Sequence, residues 1–161
     1  EYVEERDCSK VARLFCDLLS NVTYWQHPAG GNKDGGEAAV KEDERTYHGL
    51  IQISLSAMGL KVLGETAGAI GRADMAIFLP HDKALVIEIK HSRANPAHTG
   101  EDLARIQAEA LQKALKAITE KDYGGPHRIS ASEVTGLGLA VYGRNEVLAG
   151  FLDNSALRQP L

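Results

Sequence analysis

The chain is poor in cysteine, with only Cys8 and Cys16. They lie eight residues apart in one helical pattern, a rise of roughly 12 Å, too far for a disulfide. They are expected to be reduced thiols of a cytosolic protein. No pair of metal-binding side chains has Cys-x-x-Cys or His-x-x-x-His spacing, which argues against a zinc site. No apolar run approaches the length needed to cross a membrane, and nothing near the start resembles a signal peptide. An excess of positive charge is also missing: 18 Lys and Arg stand against 22 Asp and Glu, a net charge of −4. That argues against gripping nucleic acid by bulk electrostatics alone. It leaves room for an acidic active site and implies weak intrinsic affinity, with targeting supplied by other parts of a longer protein. The sequence starts at Glu1 rather than Met, so a fragment of a larger protein is expected. Internal repeats and low-complexity tracts are absent.

What is present is ordinary for one globular domain: 161 residues, 43% hydrophobic and 25% charged. The stripe Val11, Leu14, Phe15, Leu18, Leu19 and Val22 predicts a helix over 9–22. Pro28, Gly30-Gly31 and Gly35-Gly36 then predict a flexible loop, so residues 1–41 read as a helix plus a Gly-rich loop. Residues 42–161 should hold the rest of a single compact domain. A second helix is expected from about Glu42 to Met58, ended by Gly59, with Tyr47, Leu50, Ile51, Leu55 and Met58 inward. Strands are expected at Lys61–Glu65, Arg72–Leu79 and Ala84–His91. A long helix over Gly100–Lys121 should bury Leu103, Ile106, Ala110, Ala114, Ala117 and Ile118. Strands at Val134–Tyr142 and Val147–Leu152 close the chain. The order α-α-β-β-β-α-β-β implies an α/β fold with a central mixed sheet flanked by helices.

The chemistry concentrates in Gly71-Arg72-Ala73-Asp74 and in Glu88-Ile89-Lys90. Alternation along a strand puts Glu88 and Lys90 on one face and Ile89 on the other. Carboxylates and an ammonium inside apolar strands are costly unless paired or bound to metal. Two readings stand: a metal site, or Lys90 simply pairing with Asp74 or Glu88 at a wet sheet end. The hairpin register bears on the choice. If Leu79 paired with Ala84, Asp74 would oppose Ile89 and the acids would face apart. A loop of three or five residues, or a bulge, sets Asp74 opposite Glu88 or Lys90. We therefore expect an odd loop or a bulge here.

Several ordered segments carry a resemblance. They are Val22-Thr23-Tyr24, Glu44-Arg45-Thr46-Tyr47-His48-Gly49, Gly64-Glu65, Gly71-Arg72-Ala73-Asp74, Val86-Ile87-Glu88-Ile89-Lys90, and Ala114-Leu115-Lys116-Ala117-Ile118 with Tyr123. Together, from about Phe15 to Leu152, the chain resembles the PD-(D/E)XK nuclease superfamily. The closest branch is the one often found C-terminal to AAA-ATPase-like domains in bacterial proteins. The resemblance implies a restriction-endonuclease-like core and a Mg²⁺- or Mn²⁺-dependent nuclease, with DNA a better substrate than RNA. In that reading Asp74, Glu88 and the Ile89 carbonyl ligate the cation. Lys90 orients and helps deprotonate the attacking water and steadies charge on the phosphate. Glu44 adds an outer carboxylate. The chain departs from the pattern at Ala117, where relatives commonly carry a Gln. Lys113, one turn earlier, either substitutes or is an exposed solubilising lysine.

His48, one turn after Glu44, either lines the site or is an ordinary helix residue. Glu65 reads as an exposed edge carboxylate rather than a cleft residue. Gly64, Gly68 and Gly71 are not a phosphate loop, because a strand follows where such a loop opens a helix. His91, Arg93, His98, His127 and Arg128 are scattered; nucleic-acid contact and simple solvation both stand. The alternative to a nuclease is a catalytically inactive module of the same fold that binds protein or nucleic acid. Expected partners are nucleic acid and other domains of the full-length protein, with a homodimer left open and no membrane. The expected location is the cytoplasm, or a host cytosol if the protein is a secreted effector.

Overall fold

The computed structural model describes residues 5–26, 44–67 and 72–152. The Gly-rich loop expected after the first helix lies outside the described residues. Apolar, β-branched-rich runs, near-continuously buried in β3 and β4, build five strands: β1 (Lys61–Ala67), β2 (Arg72–Leu79), β3 (Lys83–Ser92), β4 (Glu133–Tyr142) and β5 (Glu146–Phe151). They form one sheet in that order. β1, β2 and β3 run antiparallel in sequence, β3 and β4 are parallel, and β5 returns antiparallel. Three α-helices are described, α1 (Cys8–Gln26), α2 (Glu44–Ala57) and α3 (Gly100–Glu120), with a short 3-10 helix at Gly125–Ile129. The molecule is α/β with a mixed sheet, and α3 is the crossover that parallel strands require.

The two sheet faces bury different partners. Val11, Phe15 and Leu19 of α1 and Tyr47, Ile51 and Leu55 of α2 pack with Leu85, Ile87, Ile89, Leu137, Leu139 and Val141. The opposite face packs Val86 against Ile118 of α3 and Tyr123. The α3 face of β4 carries Gly136 and Gly138, where an added Cβ would come within 2.8 Å of Leu152 and 3.0 Å of Leu111 and Leu115. Small residues there let α3 lie close to the sheet.

α3 starts at a reciprocal cap. Thr99 Oγ1 accepts from Asp102 N, and Asp102 Oδ2 accepts from Thr99 N. It stops at Lys121, whose N–H reaches Ala117 O and Thr119 O. Of the expected inward stripe, Ala110, Ala114 and Ile118 are buried, while Leu103, Ile106 and Ala117 are only half-buried. Met58 corrects the expected α2 stripe. The helix ends at Ala57, Gly59 turns with φ +84°, and Met58 is left 57% exposed. Cys8 and Cys16 are both free thiols. Among the described residues no helix is long and apolar enough to cross a membrane.

Candidate functional site

The site grows out of the β2–β3 hairpin. Leu79 pairs with Lys83, leaving the three-residue loop Pro80-His81-Asp82, an odd loop as the register argument required. His81 and Asp82 both take left-handed φ, +62° and +53°. Ser132 steadies them through its N–H and hydroxyl, which donate to the Asp82 carbonyl. The ladder runs to Met75 opposite Ile87 and stops there. One further step would set Asp74 across from Glu88.

At that step β2 twists out of regular alternation. Residues two apart in a strand ordinarily share a face. Here Ala73 packs with Val86, Ile118 and Tyr123, whereas Met75 packs with the α1 and α2 side. Across the sheet, Glu65 adopts φ +44° and its pairing with Asp74 is skipped between Gly64–Met75 and Thr66–Ala73. The Asp74 carboxylate turns toward β3, and its Oδ2 accepts from the Ile89 N–H at 2.6 Å. A side-chain oxygen thus takes the place of a ladder carbonyl. Asp74 therefore lies in the fork between two diverging strands rather than squarely on one face.

Three elements meet at this fork. From β3, Glu88 points to the α3 face with its side chain only 4% exposed, and Lys90 follows at 29%. Lys90 Nζ lies 3.0 Å from Glu88 Oε1 and donates to the Ile89 carbonyl at 3.2 Å. Glu88 Oε2 is buried with no hydrogen-bond partner among the described residues. Burial first, then the nearby Asp74 carboxylate, push the Glu88 carboxyl above the ordinary glutamate range; the Lys90 hydrogen bond pulls the other way.

From α2 comes His48, with Nε2 3.2 Å from Asp74 Oδ2. The contact is close, but His48 Nε2 is buried without a hydrogen bond among the described residues. Its neighbour Tyr47 anchors this end of the helix. The Tyr47 hydroxyl donates to the Gly143 carbonyl at 2.7 Å, and its ring stacks on His91 at 4.4 Å. His91 Nε2 shares the same carbonyl at 3.0 Å. Glu44 opens α2, and its side chain lies outside the described residues.

From the end of α3 comes Lys121, which the sequence did not single out. Its Nζ sits 5.6 Å from the centre of the Tyr123 ring. Its charge and that of Glu88 act on each other. The clue available in the sequence was its spacing: Lys121 lies four residues after Ala117, on the same helical row. Lys113 is exposed on α3. Glu65 is exposed, its side chain at 74%, with Arg72 3.4 Å away, so it stands outside the fork. His98 bonds the Tyr142 hydroxyl at 2.7 Å. The Arg128 side chain lies outside the described residues.

His127 corrects its place among the scattered surface residues. It is buried, its ring edge-on to Phe78, and its Nε2 has no partner among the described residues. Burial lowers its pKa below the ordinary histidine value. The unfolded chain then binds this proton more readily than the folded one. The stability His127 contributes is present above about pH 6.5 and is lost as pH falls through the folded value. Thermal unfolding midpoints at pH 7.5 and 5.5 should show a smaller acid-side drop in His127→Phe than in wild type.

The donor set suits a hard cation in a limited way. No group of three or more His, Cys, Asp or Glu side chains converges as a metal site among the described residues. The fork offers two carboxylates and the Ile89 carbonyl. Mg²⁺ is commonly held by one or two carboxylates together with substrate phosphate oxygens. The unpartnered, buried Glu88 Oε2 is the atom such a cation would satisfy. His48 would then buttress a ligand rather than be one. If the fork takes Mn²⁺, His48→Ala should weaken that binding about tenfold, measured by titration calorimetry, without unfolding the protein. No family model matches the chain, and no curated protein matches it.

Proposed function

We propose that this domain is a Mg²⁺- or Mn²⁺-dependent nuclease of PD-(D/E)XK type, hydrolysing phosphodiester bonds, with DNA as the preferred substrate. The observation that carries the reading is the Asp74–Glu88–Lys90 fork, above all the buried Glu88 carboxylate with one oxygen unpartnered. An apolar interior does not keep such a group for stability alone.

Asp74, Glu88 and the Ile89 carbonyl are the groups that would hold the cation. Bound there, Mg²⁺ or Mn²⁺ offsets phosphate charge and makes water easier to deprotonate. Lys90 has two tasks at different times. Its ammonium bridges Glu88 Oε1 and the Ile89 carbonyl, groups that would otherwise be open to a cation. Its partial exposure gives it room to swing away. It then faces the attacking water and the phosphate oxygen, where it orients the one and stabilises charge on the other. Asp74 is kept in place by the Ile89 N–H and by His48. Glu44, at the start of α2, is the candidate for the outer carboxylate.

The direct test is incubation with plasmid and linear DNA plus Mn²⁺. Wild type should cut and Asp74→Ala should not. Absence of cutting by wild type, or equal cutting by the variant, would sink the proposal. A second reading, an inactive binding module of the same fold, draws on Ala117 and on the lack of a three-ligand cluster among the described residues. It requires that no Mn²⁺ binding depend on Asp74 and Glu88.

A further inference from the structure

The fork carries two ammonium groups in different states of commitment. Lys90 is taken up by Glu88 Oε1 at 3.0 Å and by the Ile89 carbonyl. Lys121 is not. Among the described residues it makes no ion pair, and Glu120, beside it in sequence, is 3.6 Å from Lys116 instead. Its ammonium is held beside the Tyr123 ring.

That platform is rigid and close to the site. Tyr123 is fully buried and packs on Ala73 and Val86, the residues one before Asp74 and two before Glu88. Lys121 itself caps the C-terminus of α3, where backbone carbonyls favour a cation. The side chain is exposed, so a ligand can reach it. Its proton is held more firmly than in an ordinary lysine, first through Tyr123 and also through Glu88.

We propose that Lys121 is a substrate-binding residue: its ammonium, seated beside Tyr123 on the α3 side of the fork, contacts a nucleic-acid phosphate. The inference rests on the nuclease reading, and it adds a residue that the resemblance did not supply. A chain of net negative charge needs local cations to bring a phosphate to two carboxylates. Lys121 supplies one from the helix side, while Lys90 works from the strand.

The test is binding of a fluorescent duplex oligonucleotide in EDTA, so that no cutting occurs, over a series of salt concentrations. Lys121→Met keeps the apolar stem over Tyr123 and removes the charge. It should lower affinity about five- to tenfold at low salt and reduce the slope of log K against log salt by about 0.9. Lys121→Arg should restore both. Arg105→Met, an exposed cation near the other end of α3 already paired with Asp102 and Glu109, should change neither. With Mn²⁺ present, Lys121→Met should raise KM more than it lowers kcat. An unchanged slope in Lys121→Met, or no oligonucleotide binding by wild type, overturns the proposal. The two readings fail separately. Binding with the expected slope change but no cutting sinks hydrolysis and leaves the Lys121 contact standing. Cutting with an unchanged slope sinks only Lys121.

Discussion

On the proposed nuclease reading, Glu88→Gln should abolish hydrolysis and Mn²⁺ binding and, in the same protein, raise stability in the absence of added metal. The activity loss should be on the order of 10³-fold, with Mn²⁺ binding lost in calorimetry, because a ligand charge is removed. The gain in stability has a separate cause. Glu88 is buried, shares the fork with Asp74, and has one oxygen without a partner among the described residues. Its charged form is therefore disfavoured in the fold. A neutral amide of the same shape relieves that penalty. Lys90 keeps its bond to the Ile89 carbonyl and reaches solvent with its free end. The expected gain is about 1 kcal/mol, a rise of ~2–4 °C in the unfolding midpoint. The pH dependence follows from the raised carboxyl. The folded state binds its proton more readily, so the stability Glu88 contributes is complete below about pH 4.3. It is lost as pH rises through the folded value. Glu88→Gln should flatten that part of the stability profile. Mn²⁺ competes with the same proton, so wild-type affinity should weaken as pH drops below the raised value. A variant that still binds Mn²⁺, or that unfolds at lower temperature than wild type, would contradict this account.

Ile87→Ala, one residue earlier on the same strand, should do the reverse. Ile87 is 0% exposed on the α1 and α2 face, opposite Met75 in β2 and Leu137 in β4. Truncation removes apolar contacts and leaves a cavity that two flanking strands cannot collapse to fill. The cost should be about 3–4 kcal/mol. For a domain of this size that is a drop of roughly 10 °C, read by thermal or urea unfolding. Because the side chain points away from Glu88, Mn²⁺ affinity of the folded fraction should stay within about twofold of wild type. Loss of binding in a folded Ile87→Ala protein would mean that the two faces are coupled through β3.

Adjacent residues with opposite roles explain how much of the site was legible beforehand. Val-Ile-Glu-Ile-Lys announces itself because charge at alternate positions of an apolar strand has few inexpensive explanations. The odd hairpin loop was also legible, since side-chain parity allows only some loop lengths to bring Asp74 toward Glu88. His127 shows the limit. Nothing in Gly-Pro-His-Arg reveals that the ring will lie buried against Phe78, some fifty residues away in sequence. Met58 shows another. The apolar period continues past Ala57, but Gly59 turns the chain and leaves that side chain outside.

Periodicity, which is local, was enough to establish the α/β class, the approximate ends of the strands, the burial of Val11, Phe15 and Leu19 on α1 and the alternation of Ile87, Glu88, Ile89 and Lys90. Each of these depends on side chains a few residues apart. The break in alternation at Asp74, its bond to the Ile89 N–H, the approach of His48 and the arrival of Lys121 beside Tyr123 depend on residues far apart in sequence. Those contacts exist because α2 is tied to Gly143, α3 lies close on Gly136 and Gly138, and β2 parts from β3 after Met75. Spacing along a chain carries no record of such meetings. They arise from which faces find one another when the core closes.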